Sequence, residues 1–154
     1  AGFGWGKPVP VIQNNIKKIN PQTGLALISL VGPASNFALA LILALMIRIQ
    51  LIPDLVLQLD IIASFIYILI NVNILLGVFN LLPLPPLDGF KVVLGFLPTR
   101  LAHSVSGFER YGAIPLFGIL FVDMAFEKIN IFNTLIGKPV GFTLELMLNI
   151  TGRV

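Results

Sequence analysis

Cysteine is absent from these 154 residues, histidine occurs once, and charged residues make up 11% of the chain, against roughly 25% in ordinary soluble domains. Each shortage excludes something. Without cysteine there is no disulfide framework, no thiolate nucleophile and no cysteine-based zinc or iron–sulfur site. With so few charges a water-soluble surface could hardly be tiled, which argues against both a soluble enzyme and a disordered chain. What is present instead is apolar: 56% of the residues are hydrophobic, and the mean hydropathy is +0.96. The net charge of +3 comes from basic residues that flank apolar runs, so they read as topology signals. Nucleic acid is not an expected partner.

The apolar residues are grouped into lengths that fit a lipid bilayer. Residues 1–24, punctuated by Pro8, Pro10 and Pro21 and by the alternating Val9 and Val11, read as an extended entry segment or short hairpin. Residues 25–47 carry no charge, and 23 residues of helix give roughly 34 Å, enough to cross the hydrocarbon core. A short polar connection with Pro53, Asp54 and Asp60 follows, then a second uncharged run over 61–82. Residues 83–110 form a Pro-rich break and an interfacial or re-entrant segment; residues 111–154 hold a candidate third span and a tail. The expected fold is therefore an all-α membrane protein in a single membrane domain. Lys7, Lys17 and Lys18 precede the first span, and Lys91, Arg100 and Arg110 follow the second. The positive-inside rule then puts the N-terminal segment and the Asp88 region on the cytoplasmic side of the cytoplasmic membrane.

Within the first span Gly32, Asn36, Ala40 and Ala44 recur every four residues and form one narrow face of small side chains with a single amide. It is either a helix-packing seam with Asn36 as interhelical glue or the wall of a polar site. Asn73, Gly77 and Asn80 share a face of the second span, and the two polar faces are expected to meet. Next comes Asn80-Leu-Leu-Pro-Leu-Pro-Pro-Leu-Asp88-Gly89, where Pro83, Pro85 and Pro86 break the helix and free carbonyls that lipid cannot satisfy. Asp88 at that break is suited to ligating a metal or exchanging a proton; as a turn residue it would instead cap the next helix. Asp54 and Asp60 read as loop solvation, Asp123 and Glu127 beside Lys128 as an exposed helix end, and His103 as an interfacial histidine.

The motif Val31-Gly-Pro-Ala-Ser-Asn36, followed in the next span by Phe79-Asn-Leu-Leu-Pro-Leu-Pro-Pro-Leu-Asp-Gly89, resembles the site-2 protease family of intramembrane zinc metallopeptidases. The opening Phe3-Gly-Trp-Gly-Lys-Pro-Val-Pro-Val11 is similar to the segment that precedes Gly-Pro-x-x-Asn in that family, and the likeness covers roughly Ala1 to Pro98. It implies hydrolysis of a transmembrane protein or peptide substrate in the lipid bilayer, with zinc as cofactor. Asp88 is then a zinc ligand, and Asn36 and Asn80 border the active centre, Asn36 helping to hold substrate or oxyanion. Gly32, Pro33, Pro83, Pro86 and Gly89 are the structural part of the two motifs.

The family also has a His-Glu-x-x-His helix whose imidazoles bind zinc and whose carboxylate activates water; that motif is absent from this sequence. Catalytic zinc takes three protein ligands and an exchangeable water, so one carboxylate cannot build the site. The catalytic residues are thus unassigned. The expectation is a C-terminal portion of such an enzyme, inactive alone, whose N-terminal helices are missing or supplied by an oligomer partner. Two rivals remain: a non-catalytic scaffold or pseudo-protease holding a transmembrane segment, and part of a transporter with Asp88 at a broken helix.

Overall fold

The structure is a computed structural model, and it describes residues 20–49, 51–52, 59–126 and 130–151. All regular structure among them is helical: α1 (Pro21–Arg48), α2 (Asp60–Asn80), α3 (Asp88–Phe96), α4 (Thr99–Ser106), a 3-10 turn (Gly107–Tyr111), α5 (Ile114–Ala125), a π-helical stretch (Asn133–Gly137) and α6 (Lys138–Thr151). The all-α architecture follows the sequence reading. The boundaries differ from it in places, each for a local reason.

The first helix begins earlier than expected, so residues 21–24 are helical rather than extended. Asn20 accepts a hydrogen bond from the Gln22 amide through Oδ1 at 3.1 Å, and Pro21 sits at the first position, where its missing N–H costs nothing. Residues 1–19, with the expected hairpin and the Phe3–Val11 segment, lie outside the described residues. At 28 residues α1 is about 42 Å long, and α2 at 21 residues about 31 Å; both reach across a bilayer core. Their most apolar stretches are only 22% and 28% buried, with Leu27, Val31, Ile42, Ile61, Phe65 and Ile68 turned outward. Helices so largely apolar and so little covered by protein need lipid around them.

Residues 83–110, the expected Pro-rich break and interfacial or re-entrant segment, form tight turns and then α3 and α4 in succession. Beyond them, the segment Thr99–Tyr111 and α5 are bent by 71° at Gly112, whose φ of +53° lies in the left-handed region that glycine enters without strain. With 12 residues α5 measures about 18 Å, too short to cross alone; together with the segment before the bend it has the form of a broken span or of a re-entrant loop. The tail is helical and packs on both long helices.

The main core joins Ala40, Ala44 and Ile47 of α1 to Ile66, Ile70, Ile74 and Val78 of α2, closed by Leu82, Ile136 and Met147. In lipid such a cluster is held by close packing rather than by escape from water, which is why alanines line the α1 side. A second, smaller cluster of Phe90, Leu94 and Ala102 ties α3 to α4.

Candidate functional site

Asp88 is the first residue of α3. The capping position belongs to Leu87, and Asp88 is the acidic residue of the first turn; among the described residues its carboxylate accepts no backbone hydrogen bond. One oxygen would lie 3.2 Å from a Cβ placed on Gly32, so the carboxylate rests against α1 where that helix has no side chain. The other is 3.6 Å from the Lys91 ammonium, one turn along α3. Both side chains are about one-third exposed, and an ion pair so open contributes little to stability.

The Pro-rich turn delivers the carboxylate to this place. Leu84 and Leu87 donate to the carbonyls of Leu82 and Leu84 at 2.8 and 2.9 Å, so the break is a series of tight turns. The Pro85–Pro86 peptide is cis. Gly89 then packs directly on the backbone of Leu81 and Leu82, where a side chain would collide with main-chain atoms. Pro85, Pro86 and Leu87 line a recess of about 250 Å³ with Phe90, Lys91 and Glu109. Freed backbone beside a cavity rather than beside lipid is what an intramembrane break requires.

The small-residue face of α1 is shared between two partners. Its first part, at Gly32, meets Asp88; its later part, at Ala40 and Ala44, joins the core with α2. Asn36, half-buried, lies one turn beyond Gly32 on that face. The expected pairing of the two polar faces is not what brings α1 and α2 together. Gly77 receives the ring of Phe37, with atoms 2.8–3.0 Å from where its Cβ would be, and the buried Asn73 amide donates to its own Leu69 carbonyl at 2.8 Å. Among the described residues no side-chain hydrogen bond joins Asn36 to Asn80, which is also half-buried. Pro33 is fully buried, whereas Pro83 and Pro86 are exposed.

The remaining acids and the histidine go elsewhere. His103 is exposed on α4 beside a separate recess of about 380 Å³ that includes Asn20, Gln22 and Thr99. Asp123 stands at the exposed end of α5, as expected, and also accepts from the Ile131 and Phe132 amides at 2.6 and 3.2 Å, so it holds the start of the tail helix as well. Asp54, Glu127 and Lys128 lie outside the described residues. Reading the sequence did not find Lys91 as the neighbour of Asp88, nor the contacts of Gln22 and Gly95 with the α3 and α1 backbones. A glycine within a nine-residue helix is the signal that would have flagged the last of these.

The model of peptidase family M50 matches residues 48–122, the stretch that contains α2, the Pro-rich turn and Asp88. YwhC of Bacillus subtilis (strain 168), which is named as a zinc metalloprotease, is 39% identical over 128 residues, covering 79% of this chain. The chain belongs to peptidase family M50. LL2128 of Lactococcus lactis subsp. lactis (strain IL1403), named in the same way, is 33% identical over 67 residues, 44% of the chain and 15% of its own length. The chain spans 56% of YwhC, about half of that relative. No solved structure matches it. The M50 membership and the two long apolar helices together make the chain an integral membrane protein.

Zinc in the relatives' names can be tested against the donors this M50 chain offers. Among the described residues no three His, Cys, Asp or Glu side chains stand close enough to hold a metal ion. Asp88 is an accessible oxygen donor with no competing backbone bond, but a single one. These residues therefore do not make up a zinc site.

Proposed function

We propose that this chain is the part of an intramembrane zinc metalloendopeptidase of site-2 type that supplies one metal ligand, Asp88, and that the enzyme cleaves transmembrane proteins or peptides. The observation that carries the reading is the Asp88 carboxylate itself: it stands at a helix break, accepts no backbone hydrogen bond among the described residues and lies on Gly32, on the α1 face that also bears Asn36. An aspartate needed only for the turn would be bonded to backbone amides, as Asp123 is.

The two other protein ligands and the general base come from outside these 154 residues, from upstream helices or a partner subunit, and the chain by itself is inactive. Asn36 and Asn80 border the centre, Asn36 one turn from the Asp88 contact and Asn80 at the end of α2 where the break begins. The Gly32-Pro33 and Pro83, Pro86 and Gly89 positions shape that border. The enzyme sits in the cytoplasmic membrane, with the Asp88 region toward the cytoplasm, where Lys91, Arg100 and Arg110 gather.

The test is the zinc content of protein purified in detergent, comparing this chain with a polypeptide extended by its upstream coding sequence, each with and without Asp88→Ala. Stoichiometric zinc in the extended form alone, lost on Asp88→Ala, is the expected result. Zinc that survives the substitution overturns the ligand assignment. Zinc in neither form turns the reading to a non-catalytic scaffold that holds a transmembrane segment.

A further inference from the structure

The helix that begins with Asp88 ends two residues before Pro98, and that proline creates a deficit. In an α-helix the Leu94 carbonyl would accept the N–H of residue 98, and proline has none. The Leu97 carbonyl, next to the same proline, falls in the bend between α3 and α4. Both are served by one side chain from another helix: the Gln22 carboxamide nitrogen donates to the Leu94 carbonyl and, at 2.9 Å, to the Leu97 carbonyl. A primary amide has two hydrogens, so the two bonds use its whole donor capacity.

Gln22 is well placed to hold this position. It is the second residue of α1, its own amide is bound by the Asn20 cap, and it is half-buried. Two further contacts fix how α3 lies on α1. Gly95 packs on Ala26, and Asp88 rests against Gly32, so α3 runs antiparallel to α1. The seven residues from Asp88 to Gly95 rise about 10 Å and the six from Ala26 to Gly32 about 9 Å, so the two helices keep step over this length. Gly95 and Gly32 permit the close approach, but smooth glycine contacts resist sliding poorly. The directional bonds of Gln22 supply what the glycines lack.

We propose that Gln22 is a positioning residue, a clamp that sets the axial register of α3 on α1 and thereby keeps the Asp88 carboxylate at Gly32. The importance of that register rests on the reading of Asp88 as a ligand; the clamp itself does not. Gln22→Glu keeps the shape but removes both donors and sets a carboxylate against two carbonyls. Gln22→Lys restores donors in a different shape.

With no cysteine among these residues, register is measurable as the distance between nitroxide labels on Leu27→Cys and Phe96→Cys, two exposed positions, one on each helix. In otherwise unchanged protein that distance should be single and narrow. Gln22→Glu should broaden it or shift it by up to about 5 Å, the rise of one helical turn, and Gln22→Lys should restore it. Amide exchange over residues 88–97 is measured alongside in protein without cysteines. There Gln22→Glu should speed exchange roughly tenfold and Gln22→Lys should reverse most of the gain. An unchanged label distance together with unchanged exchange in Gln22→Glu overturns the clamp, as does a Gln22→Lys variant that behaves like Gln22→Glu in both. Neither readout involves metal or cleavage, so a zinc result against Asp88 would fall on the ligand reading and leave this one standing.

Discussion

Asp88 and Asp123 each stand beside an interruption in an apolar chain, and each begins or anchors a helix, yet their oxygens are used in opposite ways. Asp123 spends one oxygen on two backbone amides, Ile131 and Phe132, which the start of a helix would otherwise leave unpaired. Asp88 opens its helix without bonding to it and faces a glycine and a lysine. The first carboxylate is consumed by the fold and the second is kept free of it. The same residue type at the same kind of site thus becomes structural or available according to whether the backbone claims it.

Removing each carboxylate is the most direct way to test that contrast. In an extended, zinc-loaded form, Asp88→Ala should lower cleavage of a transmembrane substrate by about 100-fold or more, because a metal ligand is lost, with thermal stability in detergent nearly unchanged. Asp123→Ala should do the reverse: about 1–2 kcal/mol of stability lost from the tail helix, seen as faster amide exchange over residues 131–151, with zinc content retained. If Asp88→Ala instead melts the protein and Asp123→Ala does not, the contrast is wrong.

Smaller changes sharpen it. Gly32→Ala places a methyl 3.2 Å from the Asp88 oxygen and forces the carboxylate aside by a few tenths of an ångström. It should weaken zinc retention on dialysis against a chelator by about tenfold while leaving the helical circular-dichroism signal intact, since metal sites are sensitive to ligand placement at this scale. Asn36→Ala should have the least effect on folding, about 0.6 kcal/mol in unfolding with a denaturing detergent. Its turnover at equal expression decides whether the amide does more than pack.

The two long helices could be read from the sequence because uncharged length is a direct physical requirement of the bilayer, and the break could be read because proline cannot continue a helix. Asp88 stood out as the one acid at that break. The partners were harder. The small-residue face of α1 was visible as a period of four, but periodicity does not say which helix fills a groove, and two of them share this one. The match of Phe37 with Gly77 depends on one ring finding one gap, a pairing of size that no polarity pattern encodes. The role of Asp123 depends on Ile131 and Phe132, eight and nine residues further along the chain, so its spacing from Glu127 was no guide. Gln22 lies 72 residues before Leu94, and its task exists because the end of α3 leaves carbonyls open, Pro98 among the causes.

That ring in its gap has a consequence for orientation about the helix axis. The outward side of α2 is apolar, with Ile61, Phe65 and Ile68 exposed, so contact with lipid alone fixes its rotation loosely. The notch at Gly77, holding the Phe37 ring, is what indexes the helix, and Asn80 follows three residues later, about 300° around at 100° per residue. The direction in which Asn80 points is thereby inherited from an aromatic ring on its neighbour, and a bulkier residue at position 77 would turn the amide without touching it.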